Sequence, residues 1–408
     1  MDGYTQGDAA SQTDWLSVNC DLGDLVPWLG LLTDSKPTIL VLAGETSGDL
    51  HAAKVVAELR VRNPNVRFLG MGGPKMKAQG VELFAELGTL AIMGFSEVIA
   101  RLCYFLSLRR KVLALIHSES PDLVILVDYP GFNLTIAKAA HERDCPVLYY
   151  IPPKVWAWNE RRARTLATVA DAVASIHPFE VDLLKEHGVN VEYVGHPLLD
   201  RAGSIPSRGE SFRAWGLDPE RPLLGILPGS RIQEVERHLK PFIESARAVV
   251  DRRPGVQVLI SQAPGLEDSH FRDLEFSVVR ETPSLLRWSD CVLTKSGTST
   301  LETALEGTPL VVAHRVSWLS GVLARLLLRT RYIGLPNLVT HQEVVPEVLQ
   351  GEVRPEVIAP LLLELIDESS PVRIEQIQNL DRVTRLLGEA GASSRVAEMA
   401  MTLMERHS

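Results

Sequence analysis

Short runs of consecutive apolar residues recur along the chain, and each is followed by a turn and a segment with helical spacing. The first run spans Thr38–Ala43, ends at Gly44 and precedes a predicted helix at Asp49–Arg60. Similar runs stand at Val66–Leu69, Leu123–Val127, Val147–Ile151 and Ala172–Ile176. Since strands that are apolar throughout must be covered on both faces, the pattern predicts a parallel sheet between layers of helices.

A second series of the same kind begins at Leu223–Leu227 and continues at Val256–Ile260, Cys291–Thr294 and Leu310–Ala313. The stretch between the two series, Asp200–Arg221, is rich in Pro, Gly, Ser and charge, which is typical of a linker. The sequence therefore predicts two facing α/β domains with parallel sheets. The predicted parts are an extension at 1–36, a first Rossmann-like domain at 37–200, a second at 201–375 and a helical end at 376–408.

Composition narrows the function classes. The 408 residues are 45% hydrophobic and 23% charged, which suits a globular protein, and a net charge of -9 argues against a nucleic-acid partner. The four cysteines show no C-x-x-C spacing, so neither a zinc site nor a disulfide framework is predicted. The start of the chain lacks the pattern of a secretory signal, which predicts a cytoplasmic protein. The most apolar stretch, Ile92–Ile116, carries Glu97 and several basic residues, so it suits a segment that lies on a membrane surface.

The turns that follow the strands hold the candidate chemistry, because ligands bind open parallel sheets beyond the carboxyl ends of the strands. In the first turn, Glu45, Ser47 and Asp49 suit recognition of substrate hydroxyls, and a well-capped turn is the alternative. Asp128 directly follows Leu123–Val127 and is the candidate base for an attacking hydroxyl. The alternative for Asp128 is an Asx cap of the turn.

Two later segments of the first predicted domain carry further candidates for contact with a substrate, on what we call the acceptor side. Trp156 and Trp158 suit packing on sugar or acyl groups, and core tryptophans beside a solvated basic helix are the alternative. His196 follows a strand just before the predicted linker. It is expected either to contact a ligand at the cleft or to pack at the hinge.

The second half carries two turns suited to a nucleoside diphosphate. In Gly229-Ser230-Arg231, glycine permits close approach of the backbone, and the arginine matches a diphosphate with a forked donor. A surface salt bridge is the alternative for Arg231. The turn Ser296-Gly297-Thr298-Ser299 offers N–H groups and hydroxyls at a helix amino terminus, and Glu302 suits ribose hydroxyls. We therefore expect a nucleotide-sugar donor site in the second domain.

In their order along the chain, these segments resemble the lipid-A-disaccharide synthase family of GT-B glycosyltransferases. The resemblance runs from about residue 38 to 400 and leaves out residues 1–36. It also includes the following motifs: Met93–Val98, Val155–Trp158, Pro178-Phe179-Glu180, Val194–Pro197, Leu335–Leu338 and Val345–Gln350. At two places the chain departs from the family pattern, with Gly131 in the turn after Asp128 and Pro152-Pro153-Lys154 before the Trp pair.

The resemblance implies an inverting transfer of a diacylglucosamine from its UDP derivative to the 6-hydroxyl of a diacylglucosamine 1-phosphate. It further implies catalysis by Asp128 and Arg231, donor contacts from Asn337 and Gln350, no metal or cofactor, and work at the cytoplasmic membrane surface. The helical end is expected either to pack on the first domain or to be exchanged in a homodimer. Two alternatives stay open: a UDP-sugar 2-epimerase of the same fold, and a catalytically silent lipid- or nucleotide-binding relative.

Overall fold

The computed structural model of the chain describes residues 36–86, 95–156, 160–200, 204–316 and 330–407, and for residues 95–104 the backbone alone. Its strands pair in parallel and form two sheets. The strands of the first sheet are β1 (Thr38–Ala43), β2 (Arg67–Gly72), β3 (Glu82–Glu86), β4 (Leu123–Val127), β5 (Val147–Tyr150), β6 (Ala172–Ser175) and β7 (Val191–Tyr193). Those of the second are β8 (Leu223–Leu227), β9 (Gln257–Ser261), β10 (Ser277–Val279), β11 (Cys291–Lys295), β12 (Leu310–His314) and β13 (Glu347–Leu349). The prediction of two parallel α/β sheets is confirmed.

Helices connect the strands and cover both faces of each sheet. Around the first sheet they are α1 (Thr46–Arg62), α2 (Pro74–Ala78), α3 (Phe95–Glu119), α4 (Pro130–His141), α5 (Arg161–Val169) and α6 (Pro178–Glu186). Those that follow are α7 (Arg208–Trp215), α8 (Ile232–Arg252), α9 (Thr282–Trp288), α10 (Thr298–Leu305), α11 (Leu335–Thr340), α12 (Pro355–Ile366), α13 (Pro371–Leu386) and α14 (Ala392–His407).

The strand order places one switch point in each sheet. The first sheet runs β3-β2-β1-β4-β5-β6-β7 and the second runs β10-β9-β8-β11-β12-β13, so the order reverses between β1 and β4 and between β8 and β11. At such a point the two connections leave in opposite directions, which opens a crevice beyond the carboxyl ends of the strands. The turns after these four strands are the ones that carry Glu45, Asp128, Arg231 and Ser296.

Each sheet has an apolar core on both faces. The central strands β1, β4 and β8 are buried along their whole length, which explains why their sequences are apolar without alternation. The strands β3, β10 and β13 lie at sheet edges and were not predicted, because they are short and partly exposed. Polar residues in an edge strand remain in contact with water, so the apolar run that marks a central strand is missing.

Two segments join the domains, and the first of them differs from the sequence-based expectation. Asp200–Arg221 was predicted to be a linker, but it contains α7, which is capped by Ser207 and buries Phe212 in the second core. The chain also returns at its end, since α14 packs on the first sheet of the same chain and contributes Val396 to that core. Asp200 fixes the start of α14, because its carboxylate accepts hydrogen bonds from the backbone N–H groups of Gly391 (2.6 Å) and Ala392 (3.3 Å).

The helix α3 is an amphipathic surface helix over the part whose side chains are described. From residue 105 onward it buries Leu108, Val112 and Ile116 against the first sheet and exposes Arg109–Lys111. Within the described residues, no helix is both long enough and apolar enough to span a membrane. The motif Met93–Val98 falls outside the described side chains, and residues 1–35 of the extension lie outside the described part of the chain.

Candidate active site

The first switch point presents Asp128 on an unusual turn. Asp128 (φ 50°) and Tyr129 (φ 49°) both adopt the left-handed conformation, which costs about 1–3 kcal/mol for each non-glycine residue. The turn is held by hydrogen bonds to the Asp128 carbonyl oxygen, which Tyr149 Oη and Asn133 Nδ2 donate, each at 2.8 Å. The backbone of the candidate base is therefore fixed from two sides. Asp128 itself is partly buried at the strand end.

The surroundings of Asp128 raise the pKa of its carboxyl group. Burial raises the pKa of its carboxyl, and the nearby negative charge of Glu45 raises it further. The backbone N–H of Tyr129 and the positive charge of Lys154 lower it in part. A carboxylate with a raised pKa is a stronger base, which is the property that proton abstraction from a hydroxyl requires.

Glycine is required at position 44 by the packing of this turn. A Cβ atom at Gly44 would overlap the ring of Tyr129. The sequence suggested that this glycine permits close approach of a ligand, whereas the structure shows close approach of an aromatic ring. Gly44 thereby supports the residue next to Asp128.

The turn after β1 separates its three candidate residues. Glu45 and Ser47 are exposed at the start of α1. Asp49 is buried (1% exposed), and its carboxylate accepts hydrogen bonds from the backbone N–H groups of Gly73 (2.8 Å), Lys75 (3.0 Å) and Met76 (3.0 Å). The oxygens of Asp49 thus cap the helix α2, and its assignment to the acceptor side stays a prediction.

The tryptophan segment introduces a buried acid that was not among the candidates. Trp156 donates from Nε1 to Glu180 Oε1 (2.6 Å), and Ser175 donates from Oγ to Glu180 Oε2 (2.8 Å). Burial raises the pKa of Glu180 to about 7, although these two hydrogen bonds oppose the rise. Trp156 also packs edge-on against Phe179 and contacts the second core, so it belongs to the seam between the domains. Trp158 lies outside the described residues.

His196 packs behind this segment. Its side chain is buried (4% exposed), and its ring lies 5.3 Å from the ring of His177. Its Nδ1 accepts a hydrogen bond from the backbone N–H of Leu198 (3.2 Å). These contacts are those of a residue packed at the hinge, and a ligand contact of His196 at the cleft stays a prediction.

The second switch point is organised by Glu234. Its Oε2 accepts hydrogen bonds from the backbone N–H groups of Ser230 (2.9 Å) and Arg231 (3.3 Å), while Lys295 Nζ donates to Oε1 (2.9 Å). Gly229 is required here, because its φ of 136° is unfavourable for other residues and a Cβ atom would meet the Glu234 side chain. The N–H groups of Ser230 and Arg231 are therefore already bound by Glu234, and the contact of this turn with a diphosphate stays a prediction.

Arg231 remains available as a side chain. It is 72% exposed and lies 3.9 Å from Glu234 of its own domain and 3.9 Å from Glu45 of the first domain. The pair with Glu45 brings the two switch points face to face. Exposed pairs of this length contribute little stability, so an anionic ligand displaces them at small cost.

The turn at the start of α10 is partly committed to internal hydrogen bonds. Ser296 donates from Oγ to the carbonyl of Ile333 (2.8 Å), and the hydroxyl of Ser299 pairs with that of Thr294 (2.9 Å). Gly297 precedes the helix, and Thr298 is exposed at its first position. What the turn offers a ligand is therefore the positive end of the α10 dipole and Thr298 rather than the two serine hydroxyls. Glu302 is half-buried one turn further along.

The two remaining donor-side candidates differ. Asn337 is fully buried, and its Oδ1 accepts from the backbone N–H groups of Val344 (2.7 Å) and Val345 (2.9 Å). Its Nδ2 donates to Val345 O and Glu347 Oε1, each at 2.8 Å. All the hydrogen-bonding capacity of this side-chain amide is used within the chain, and its role as a donor contact stays a prediction. Gln350 is half-exposed, with Oε1 accepting from the backbone N–H of Val316 (3.3 Å), and its donor contact stays a prediction.

The residues that sequence reasoning missed are Glu180, Glu234 and Lys295. Glu234 stands three residues after Arg231, and the spacing of a capping box in that turn was the available signal. Glu180 stands in the motif Pro178-Phe179-Glu180, but its hydrogen bond with Trp156, 24 residues away, could not be read from that motif, and Lys295 depends on Glu234, 61 residues away. Within the described ranges, no group of three His, Cys, Asp or Glu side chains is arranged to hold a metal ion.

Comparison with known proteins identifies what the chain is similar to. Residues 39–401 match the family described as lipid-A-disaccharide synthetase. A lipid-A-disaccharide synthase from Syntrophus aciditrophicus (strain SB) is 39% identical over 380 residues, which cover 90% of this chain and 98% of the relative. The resemblance found in the motifs is thus confirmed.

Solved structures match the same architecture at low identity. The UDP-GlcNAc 2-epimerase from Neisseria meningitidis, bound to UDP-GlcNAc, superposes with a TM-score of 0.63 and 13% identity over 90% of this chain and 100% of that chain. The glycotransferase of kitacinnamycin gives a TM-score of 0.60 and 16% identity over 91% and 100%. At these identities the likeness concerns the fold alone, and the prediction of facing Rossmann-like domains is confirmed.

Proposed function

Since the chain belongs to the lipid-A-disaccharide synthetase family, we propose that it joins UDP-2,3-diacylglucosamine to 2,3-diacylglucosamine 1-phosphate. The products are the β-1,6-linked disaccharide 1-phosphate and UDP. The observation that carries the proposal is the pairing of two switch points, with Asp128 on one and the cations Arg231 and Lys295 on the other. A base that faces a cationic leaving-group site is the arrangement that direct displacement needs.

In this arrangement the sugar is transferred in a single displacement step. The acceptor 6-hydroxyl gives its proton to the Asp128 carboxylate, and its oxygen forms a bond to the anomeric carbon of the donor. The bond between that carbon and the UDP oxygen breaks, and its electron pair leaves with UDP. Arg231 and the positive end of α10 stabilise the charge that develops on the diphosphate. Attack from the side opposite the leaving group inverts the anomeric centre.

The protein groups at the second switch point supply the positive charge, so the proposed reaction needs no metal or cofactor. Arg231 is exposed beside the start of α8, and Lys295 lies at the start of α10. The family resemblance likewise implies that protein groups, and not a metal ion, neutralise the departing diphosphate. Addition of a chelator is expected to leave turnover unchanged.

In this proposal the first domain contacts the acyl chains of the substrates and the membrane surface. In the described part of α3, Arg109–Lys111 are exposed and Leu106 is 45% exposed. A basic helix with exposed apolar side chains favours the surface of a bilayer that contains acidic lipid. Liposome flotation tests this part, and equal recovery with neutral and acidic vesicles would contradict it. The homodimer implied by the resemblance stays a prediction.

The function is tested by incubating the pure chain with the UDP-linked donor and the monosaccharide 1-phosphate and looking for the disaccharide by mass. Asp128→Asn is expected to fold normally and to lose roughly 10²–10⁴-fold in kcat, the range of general-base contributions. Full turnover by that variant would refute the assignment of Asp128. Release of a free epimerised sugar from a soluble UDP-sugar, without disaccharide, would instead favour the 2-epimerase alternative.

A further inference from the structure

Lys295 is the last residue of β11, and its ammonium group lies at the start of α10. A Cβ atom at Gly297 would be 2.9 Å from Lys295 Nζ, so the ammonium stands directly beside the Gly297 backbone. It donates a hydrogen bond to Glu234 Oε1 (2.9 Å), and both side chains of this pair are only 15% exposed. The cation is therefore held between the two turns of the second switch point, after β8 and after β11.

Glu234 is surrounded by several positive partners. One oxygen accepts the two N–H groups of the turn after β8, and the other faces both Lys295 (2.9 Å) and Arg231 (3.9 Å). Arg231 also pairs with Glu45 of the first domain at 3.9 Å, and both of those side chains are exposed. Because an exposed pair of this length is weak, a phosphate oxygen can replace Glu45 beside the two cations, next to the positive end of α10.

The neighbouring histidines do not supply that positive charge. Burial lowers the pKa of His314 to about 4, and His238 and Lys295 lower it further. The pKa of His238 is also lowered, first by burial and then by the charge of Lys295, and its Nε2 accepts a hydrogen bond from the backbone N–H of Arg315 (2.9 Å). At neutral pH both imidazoles are uncharged, which leaves Lys295 as the buried cation of this edge.

We propose that Lys295 is a further catalytic residue, whose ammonium group contacts the diphosphate of the donor and of departing UDP together with Arg231. The proposal rests on the UDP-sugar function proposed above. When the bond to the anomeric carbon breaks, the electron pair stays on the diphosphate, and Lys295 neutralises part of that charge. Lys295 then shares its hydrogen bonds between Glu234 and a phosphate oxygen, as an ammonium with three donors allows.

A purely structural role makes a different prediction that can be separated by experiment. If Lys295 only holds Glu234 in place, breaking the ion pair from either side has the same effect. If Lys295 contacts phosphate, Lys295→Met removes a ligand contact, whereas Glu234→Gln relieves the ammonium of its competing anion and keeps an oxygen for the turn. The two variants should therefore change UDP affinity in opposite directions.

The test is isothermal titration calorimetry of the full chain with UDP, UMP and uridine. For Lys295→Met we expect UDP to bind about 10–100-fold more weakly and uridine to bind as in the wild type, because a charge-assisted hydrogen bond to phosphate is lost. Lys295→Arg should recover part of the loss, and Glu234→Gln should bind UDP at least as tightly as the wild type. Lys240→Met, an exposed lysine on α8, is the matched control and should change nothing.

Three results would overturn the role of Lys295 while leaving the donor site in place. These are wild-type UDP affinity in Lys295→Met, an equal loss of UDP and uridine binding, and an equal loss of UDP affinity in Lys295→Met and Glu234→Gln. Thermal unfolding of each variant shows that the comparison is made between folded proteins. A wild-type chain that binds no UDP would overturn the proposed function, and this inference with it.

Discussion

The raised pKa of the buried acid Glu180, next to Trp156 between the two domains, can be tested quantitatively. The substitution Glu180→Gln keeps the size of the side chain and an oxygen for the Trp156 indole, but it removes the ionisable proton. Burial raises the pKa of this carboxyl from 4.5 to about 7. In the folded chain Glu180 therefore stays protonated over a pH range in which the unfolded chain has already lost that proton.

The sign and size of the effect follow from proton linkage. Between pH 4.5 and about 7 the folded state binds more protons than the unfolded state, so the free energy of unfolding falls as pH rises through this window. One pKa unit corresponds to about 1.4 kcal/mol, which makes the full change about 3 kcal/mol. The stabilising contribution of the protonated acid is present below pH 4.5 and is lost above pH 7.

The assay is urea unfolding at pH 5 and pH 8, followed by tryptophan fluorescence. Relative to the wild type, Glu180→Gln should gain about 2–3 kcal/mol in free energy of unfolding between the two pH values, because it lacks the titrating group. Glu186→Gln, an exposed acid on the same helix, is the control and should show almost no such gain. If the difference between Glu180→Gln and the wild type is equal at both pH values, the raised pKa and the argument built on it are refuted.

Three further substitutions test the site. Gly44→Ala should push the Tyr129 ring away from β1 and lower kcat with a smaller effect on the donor KM, and an unchanged kcat would contradict the support of Asp128 by that ring. Arg231→Lys should keep the melting temperature, since the side chain is exposed, but should lower kcat about 10-fold or more because the planar fork is lost. Asn337→Ala should lower the free energy of unfolding by more than about 3 kcal/mol, since several buried backbone groups lose their partners. Lost UDP affinity in Asn337→Ala without lost stability would instead support its role as a donor contact.

The central strands and the turns that follow them could be predicted from the sequence. Strands such as Leu123–Val127 and Leu223–Leu227 are covered by helices on both faces, so every position must be apolar and the run is visible without any knowledge of partners. The position of Asp128 and Arg231 directly after such runs placed them at the ligand-binding edge of their sheets. The order of these motifs was sufficient to identify the family.

The sequence could not decide which polar side chains at that edge face a ligand. Asp49 and Glu45 stand four residues apart in one turn, yet Asp49 caps a helix that begins at Pro74, and Glu45 remains exposed. The side chain of Asn337 forms its hydrogen bonds within its own loop, while Glu180, which was not a candidate, is buried next to Trp156. A carboxylate or amide is chemically the same in either role, and only its hydrogen-bond partners distinguish them.

Long-range placement was likewise decided by tertiary structure alone. The helix α14 has the composition of an ordinary amphipathic helix, and its return to the first sheet depends on Asp200, some 190 residues before it in the chain. Lys295 acquires its position from Glu234, which is 61 residues away. Apolar runs are local because burial acts on each residue, so the sequence by itself determined the sheets and the family. Charge pairing and capping join residues that are distant in the sequence, so only the folded chain decided which charges meet.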